Sequence, residues 1–453
     1  MKKFTKLLIC FMLCLFGVFI SACDNRTPEE KAFTYPKKSD QVYGNGGMAV
    51  RKGNYVYFVN GYMGVDDEDH KQGKSVTHGS LMLMKLDADG NVVTDENGLL
   101  DDDYYISMSS KLCGYEATNL FISGNYLYFT SPCQENKGGQ GASGDNKTWA
   151  KEYVEFYRIK LDKTSSVEEI YQSKISYKNF EFKYYEQDGE VFVLAYENST
   201  RENSTKSNTL IRIKCSNKSA TELETGITSV IMAEDGKSIV YAKSGDNGVV
   251  INKYNVFTNA TQHIDTIKSA DFGALKLVSD SYVYITDEND ELMRRRLNAN
   301  ESWEELHEYV GHYDKLMIIP HGDKIIAIKN NRIKILNSTG ESYVDEDTEK
   351  VNFIGFNNGS VVYYDDDKNV KTLAYNTTDA SIITIATVED MSTNYFDMAN
   401  DDTFMYFYKT VGSNEYLFRL EVAFGTESEE EMFGVYLEDD APEIETEDSE
   451  DVE

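Results

Sequence analysis

Short stretches of alternating apolar and polar residues recur along the chain, each introduced by a turn signal. Two of them are nearly the same text, GNYVYFVNG from Gly53 and GNYLYFTSP from Gly124. Such alternation over about five residues is the pattern of a β-strand with one buried face. Six more stretches of this kind follow. The chain therefore repeats one β-unit eight times, and the aligned positions are Val56, Leu127, Val191, Ile239, Val283, Ile325, Val361 and Met405.

Each unit contains more than one strand. A second alternating strand follows the first, as in LMLMK from Leu81 and VEFYRIK from Val154. A shorter strand usually precedes this pair and another often follows it. The later units approach the spacing of about 40–45 residues that a four-stranded propeller blade needs. We therefore predict an all-β fold, a β-propeller of about eight four-stranded blades, with seven blades as the alternative.

The N-terminus carries a different signal. Lys2, Lys3 and Lys6 precede an apolar stretch, residues 7–20, which is short for a membrane span. It ends in ISAC, residues 20–23, which resembles the lipobox of bacterial lipoproteins. The resemblance implies that residues 1–22 are a signal peptide and that Cys23 carries diacylglyceride and palmitate chains. The protein would then be lipid-anchored on the extracytoplasmic side of the cell membrane. The alternative is an ordinary signal peptide with a chance cysteine.

Composition divides the remainder of the chain. Residues 23–42 are polar and aperiodic, which predicts a flexible tether, and residues 43–438 hold the repeated units. Residues 439–453 form an acidic tail that we predict to be solvated and disordered. The formal net charge of the whole chain is −32. A nucleic-acid partner is therefore excluded, because binding to phosphates needs a basic face.

One stretch resembles a known propeller family. Tyr284-Ile285-Thr286-Asp287, followed by the basic strand ELMRRRLN, is similar to the YWTD signature of low-density-lipoprotein-receptor-type propellers. Weaker similarities to this signature occur at residues 128–131, YFTS, and at residues 86–90, LDADG. Propellers of the YWTD type usually have six blades. The resemblance implies the architecture and says little about function.

Two acidic segments invite a metal-binding interpretation. Residues 87–91, DADGN, look like the start of a calcium loop, but their glycine is fourth instead of sixth, so we favour a hairpin turn. Residues 65–78 bring carboxylates and imidazoles together. We favour a solvated acidic loop there, and predict no metal and no cofactor. The metal candidates in that segment are Asp66, Asp67, Asp69 and His70.

The long insertions all fall at the same place in the unit. They link the paired strands of units one, two and three, at residues 62–79, 131–153 and 197–208. Equivalent loops of a propeller emerge on one face, and loops on a rigid scaffold often carry binding residues. We therefore predict a ligand face that includes Tyr62 and Trp149, since Trp is enriched at interface hot spots. Cys113 and Cys133 flank one predicted hairpin symmetrically and are a candidate disulfide.

No catalytic or nucleotide-binding motif occurs in the sequence. We therefore predict a non-enzymatic, lipid-anchored binding or scaffolding propeller whose ligand is a protein, peptide or glycan. One alternative is a propeller enzyme that acts on glycans. Another is an accessory subunit of an envelope assembly or export machine.

Overall fold

The computed structural model describes residues 36–434 except for internal gaps. The gaps are residues 62–80, 94–104, 108–118, 133–153, 163–165, 174, 176–179, 202, 204, 234–236, 299, 307–314, 319–323, 330–331, 338–341, 348–350, 358, 376–381, 392–398, 402, 412–413 and 423–427. Strands dominate the described residues, with two short 3₁₀ turns at Ser199–Arg201 and Ser269–Asp271. Within these ranges no helix has the length and apolar character needed to cross a membrane.

The strands form eight antiparallel sheets, each built from consecutive strands of the chain. We number the blades one to eight in chain order. The first strands of the blades are β2 Ala49–Lys52, β6 Phe121–Ser123, β10 Phe180–Gln187, β14 Ile227–Met232, β18 Ala274–Val278, β22 Lys315–Ile318, β26 Val351–Asn357 and β30 Ala399–Asn400. The second strands are β3 Tyr55–Val59, β7 Tyr126–Pro132, β11 Glu190–Glu197, β15 Ser238–Gly245, β19 Tyr282–Thr286, β23 Ile325–Lys329, β27 Ser360–Asp365 and β31 Phe404–Val411.

Two further strands complete each blade. The third strands are β4 Leu81–Lys85, β8 Val154–Lys160, β12 Thr209–Lys214, β16 Gly248–Asn255, β20 Leu292–Arg296, β24 Arg332–Leu336, β28 Asn369–Ala374 and β32 Asn414–Glu421. The fourth strands are β5 Tyr105–Ser107, β9 Glu168–Gln172, β13 Ser219–Thr225, β17 Ala260–Ile267, β21 Glu304–Glu305, β25 Ser342–Asp347, β29 Ile382–Thr387 and β33 Glu430–Met432.

The predicted all-β propeller of eight four-stranded blades is confirmed. First strands contact each other in five of the eight pairs of neighbouring blades, and one of these contacts joins the first strand of blade eight to that of blade one. The first strands therefore surround a central channel. All eight positions aligned in the sequence lie on second strands and are at most 1% exposed. The repeat was visible because these strands are buried in every blade and therefore need apolar side chains.

Apolar side chains of adjacent blades pack against each other. Buried side chains of adjacent blades form shared apolar clusters, such as the one that joins Leu194 and Tyr196 of blade three to Ile239 and Tyr241 of blade four. Clusters of the same kind join the other described pairs of neighbours from blade two to blade eight. Each blade therefore buries its faces only against its neighbours, as repeat architectures do.

The ring closes without exchange of a strand. Blade one contains only N-terminal strands and blade eight only C-terminal strands. Closure depends instead on an apolar cluster and on hydrogen bonds between blades. Tyr408 donates its hydroxyl to the carbonyl of Val59 at 2.9 Å, and Arg419 donates from Nη1 to the carbonyl of Gly90 at 2.9 Å. The side chains that close the ring are thus spread over the full depth of the blade interface.

A short extra strand lies on the channel side of blade one. This strand, β1 (Val42–Tyr43), is antiparallel to β2 and pairs with its inner edge. The amide of Gly53 donates to the carbonyl of Gln41 at 3.0 Å, so the chain enters beside the turn between β2 and β3. The guanidinium carbon of Arg51 lies 5.5 Å from the ring centre of Tyr43. The pattern of apolar and polar residues along the chain did not predict this strand.

Candidate functional site

The strand directions divide the links into two faces. Because consecutive strands are antiparallel, the links from second to third strands and the links between blades lie on one face, which we call the insertion face. The turns from first to second strands lie on the opposite face. The three long insertions belong to blades one, two and three. The strand ends that flank these insertions therefore lie on the insertion face, over one arc of the ring.

A cavity of about 320 Å³ lies on the same arc. It is found where the first strands of blades one, two and three begin, near the insertion face. Its lining combines aromatic rings and side-chain amides. The lining residues are Asn45, Gly46, Asn119, Phe121, Phe182, Lys183 and Tyr184.

The link between β1 and β2 forms one wall of the cavity. The Asn45 side chain donates from Nδ2 to the carbonyl of Ile122 at 3.1 Å, and its Oδ1 accepts from the amide of Ile122 at 2.6 Å. The amide of Gly46 donates to the carbonyl of Leu120 at 2.7 Å. Gly46 has a φ of +104°, a conformation open to glycine and costly for other residues. The link is therefore docked on the inner edge of blade two.

Stacked aromatic rings form the facing wall. The rings of Phe121 and Tyr184 are stacked with centres 5.1 Å apart and an angle of 19° between their planes. The Phe182 ring stands perpendicular to that of Tyr184 at 5.7 Å. Phe182 also packs edge-on against Phe156 at 4.9 Å. These contacts fix the rings in place, because they belong to the apolar cluster between blades two and three.

Burial dominates the titration of the groups behind this wall. Desolvation raises the pKa of Tyr128 to about 12, and the same effect raises the pKa of the Cys215 thiol to about 12. Cys215 is a buried free thiol. Both groups are consequently neutral near pH 7, so the aromatic wall carries no charge of its own.

The insertion of blade three is an ordered loop where it is described. Thr200 donates from its amide and its hydroxyl to Oδ1 of Asn208, at 3.0 and 2.9 Å. Nδ2 of Asn208 in turn donates to the carbonyl of Ile227, the first residue of blade four, at 3.0 Å. Asn203 accepts both the amide and the hydroxyl of Thr205. This loop is therefore tied down on the insertion face.

The residues predicted for the site lie outside the described residues. This applies to the lipidation site, the metal candidates, the ligand-face residues and the candidate disulfide: Cys23, Asp66, Asp67, Asp69, His70, Tyr62, Trp149, Cys113 and Cys133. Residues 62–79 fall wholly outside, and 131–153 contribute only the end of β7. Of the three predicted loops, only residues 197–208 can be compared with the structure.

The hairpin-turn interpretation of residues 87–91 is confirmed. Oδ1 of Asp87 accepts the amides of Asp89 and Asn91 at 2.8 and 2.9 Å, and Gly90 has a φ of +87°. These hydrogen bonds lower the pKa of Asp87, with the Asn91 side chain contributing most. Across the described ranges, His, Cys, Asp and Glu side chains form no group of three or more that could hold a metal ion.

No protein-family model matches the chain, and no curated protein matches it. Among solved structures, the chain is similar to the computationally designed Ika8 protein, with 14% identity and a TM-score of 0.41 over 70% of this chain and 87% of that one. It is also similar to an uncharacterized protein from Listeria monocytogenes EGD-e, with 12% identity and a TM-score of 0.40 over 65% and 88%. A third similarity is to the C-terminal WD40 domain of Sif2, with 11% identity and a TM-score of 0.38 over 66% and 78%. TM-scores this low carry no argument, so the assignment of the fold rests on the sheet topology.

Proposed function

We propose that this protein is a non-catalytic, lipid-anchored binding or scaffolding propeller. Its ligand, a protein, peptide or glycan, would be recognised on the insertion face over blades one to three. One observation carries this proposal: the cavity lies among the first strands of the same three blades whose second and third strands are joined by the long insertions. Concave sites with a few convergent polar groups are the usual places for ligands.

The anchor is part of the same proposal. ISAC, residues 20–23, supports lipidation of Cys23 by its resemblance to the lipobox, and two acyl chains would hold the protein firmly at a membrane. We also propose a relationship to YWTD-type propellers, supported by residues 284–287 and the basic strand that follows them. The protein would then present its insertion face to partners on the extracytoplasmic side of the cell membrane.

Shortening the insertions tests the binding role. Each of the three loops, residues 62–79, 131–153 and 197–208, is replaced by the two-residue link Asn-Asn that blade six uses. Circular dichroism checks that the fold is kept, and partner recovery from native membranes is measured. We expect recovery to fall strongly in the triple variant, because the principal contact surface is removed.

A matched control separates this effect from general damage to the ring. The link at residues 287–291 of blade five lies on the same face but on another arc, and it is shortened to the same Asn-Asn link. We expect partner recovery with this variant to equal that of the unaltered protein. Full recovery after removal of all three long loops would contradict the proposal and move the contact surface elsewhere.

A further inference from the structure

The cavity between blades one, two and three has an apolar side and a polar side. One side is a flat apolar wall, made by the stacked rings of Phe121 and Tyr184 with Phe182 standing at its edge. The other side supplies hydrogen-bonding groups from Asn45 and Asn119. A ligand that fits this cavity has a flat apolar face and several polar groups around its rim.

The amide of Asn45 is held in one orientation and retains binding capacity. A primary amide offers two donor hydrogens and an acceptor oxygen with two lone pairs. The backbone of Ile122 takes one donor and one lone pair of Asn45. One N–H and one lone pair therefore remain for a ligand. Because these two bonds to Ile122 hold the side chain, a ligand would meet this amide already oriented.

Asn119 supplies a second amide at the beginning of blade two. Within the described part of the chain, its side chain makes no hydrogen bond, although it is partly buried and lines the cavity. A polar group in such a place is satisfied by water or by a ligand. A purely apolar occupant would cover this amide without pairing it, which costs binding energy.

We propose that this cavity binds a glycan segment of one or two sugar rings. The proposal rests on the binding function proposed above and names its ligand class. A sugar ring presents C–H groups on its flat faces, which suit an aromatic wall, and hydroxyls around its rim, which suit amides. The volume is about twice the 150 Å³ or so that accommodates one benzene ring in an engineered cavity. It therefore admits one sugar ring with its hydroxyls and part of a second.

A peptide side chain is a poorer match for the same lining. An aromatic or aliphatic side chain would stack on Phe121 and Phe182 but would leave the Asn119 amide unpaired. Sites built to hydrogen-bond a ligand's hydroxyls discriminate strongly against ligands that lack them. The amides therefore favour the ligand with the polar rim.

Binding of defined sugars to the purified full-length protein tests the ligand class. The probes are glucose, galactose, mannose, N-acetylglucosamine and glucuronate, each followed by saturation-transfer NMR and titration. We expect at least one to bind, with a dissociation constant in about the millimolar range. Saturation should be strongest at the ring C–H protons, because they face the aromatic wall.

Two variants locate the binding. Asn119→Ala removes the amide without disturbing a described hydrogen bond, and we expect it to weaken binding about three- to tenfold. Phe182→Leu removes a ring at the edge of the wall and should weaken binding by a similar factor. Asn247→Ala, in a turn of blade four on the insertion face, is the matched control and should leave binding unchanged. Thermal melting checks that each variant is folded.

The outcomes separate this inference from the binding function as a whole. Binding of one sugar that both cavity variants weaken supports the inference. Failure of every sugar to bind, or binding that neither cavity variant changes, overturns it. If no sugar binds but partner recovery still depends on the three long loops, the proposed binding function stands and only the glycan ligand class is rejected. If partner recovery does not depend on the loops either, both the binding function and the glycan ligand class are rejected.

Discussion

Removing the charge of Asp365 is expected to destabilise the propeller by about 3 kcal/mol. Asp365 ends β27 in blade seven and is fully buried, at 0% exposure. It pairs with the ammonium of Lys371 and accepts the amide of Asn369 at 2.9 Å. Asp365→Asn keeps the side-chain shape and an acceptor oxygen, so the turn is preserved. The cost arises because Lys371, whose side chain is only 14% exposed, loses the negative charge of Asp365.

The expected shift in melting temperature follows from the size of the folded body. At about 2.1 cal/mol/K per residue, roughly 400 residues give an unfolding entropy near 0.8 kcal/mol/K, so about 3 kcal/mol lowers Tm by about 4 °C. The assay is calorimetry of the single variants Asp365→Asn and Lys371→Met and of the double variant. The double variant should come within about 1 kcal/mol of the unaltered protein, since an apolar replacement of a buried pair is often neutral.

The stability that Asp365 and Lys371 contribute should depend on pH in a definite direction. Burial alone would raise the pKa of Asp365, but hydrogen bonds from Lys371 and Asn369 outweigh it and hold the pKa below its usual value. A lowered folded-state pKa contributes stability that is fully present above the unfolded value, near 3.9, and is lost as the pH falls through the folded value. The Tm difference between Asp365→Asn and the unaltered protein should therefore be constant from pH 7 to pH 5 and shrink below about pH 4.

A surface pair provides the control for this experiment. Arg296 and Glu301 lie 3.9 Å apart with side chains 58% and 49% exposed, so Glu301→Gln should leave Tm almost unchanged. The reasoning is refuted if Asp365→Asn changes Tm no more than Glu301→Gln does. It is also refuted if the double variant loses the sum of the two single losses, because the charges would then not be coupled.

Three further predictions concern the ends of the chain and the closure of the ring. Cys23→Ala should release the protein from the membrane fraction and remove the lipid mass, and unchanged fractionation would contradict lipidation. Deletion of residues 440–453 should leave Tm unchanged, whereas a drop of several degrees would mean that the tail packs on the body. Tyr408→Phe should cost about 0.5–1.5 kcal/mol because the hydrogen bond to Val59 is lost, and an unchanged Tm would show that this bond does not contribute to closure.

The repeat could be predicted from the sequence because equivalent strands are buried in every blade and therefore carry the same apolar pattern. Val56 and Met405 occupy equivalent buried positions in the first and last blades, so the repeat could be recognised and the eight blades counted. The strand β1 was missed because it has only two residues, too few for any alternation. Its pairing with β2 depends on the position of the channel, which exists only after the ring has closed.

The cavity was missed for a related reason. Asn45, Asn119 and Lys183 are far apart in sequence and become neighbours only when three blades assemble. No local pattern marks an amide as part of a cavity wall. The alternation of Phe180, Phe182 and Tyr184 was the one local signal, and it predicts only that one face of the strand is apolar. The insertion loops were visible instead, because their lengths differ between blades.

The course of β1 determines how the ring would carry a mechanical load. A pull on the N-terminal segment away from the opposite face acts along β1 and β2, and the hydrogen bonds between them lie across that direction. These bonds therefore resist together in shear and do not open one after another. Part of the force passes through Asn45 and Gly46 to the edge of blade two, so two blades share it. Tension on the N-terminal segment would therefore reach the cavity wall that these two residues form.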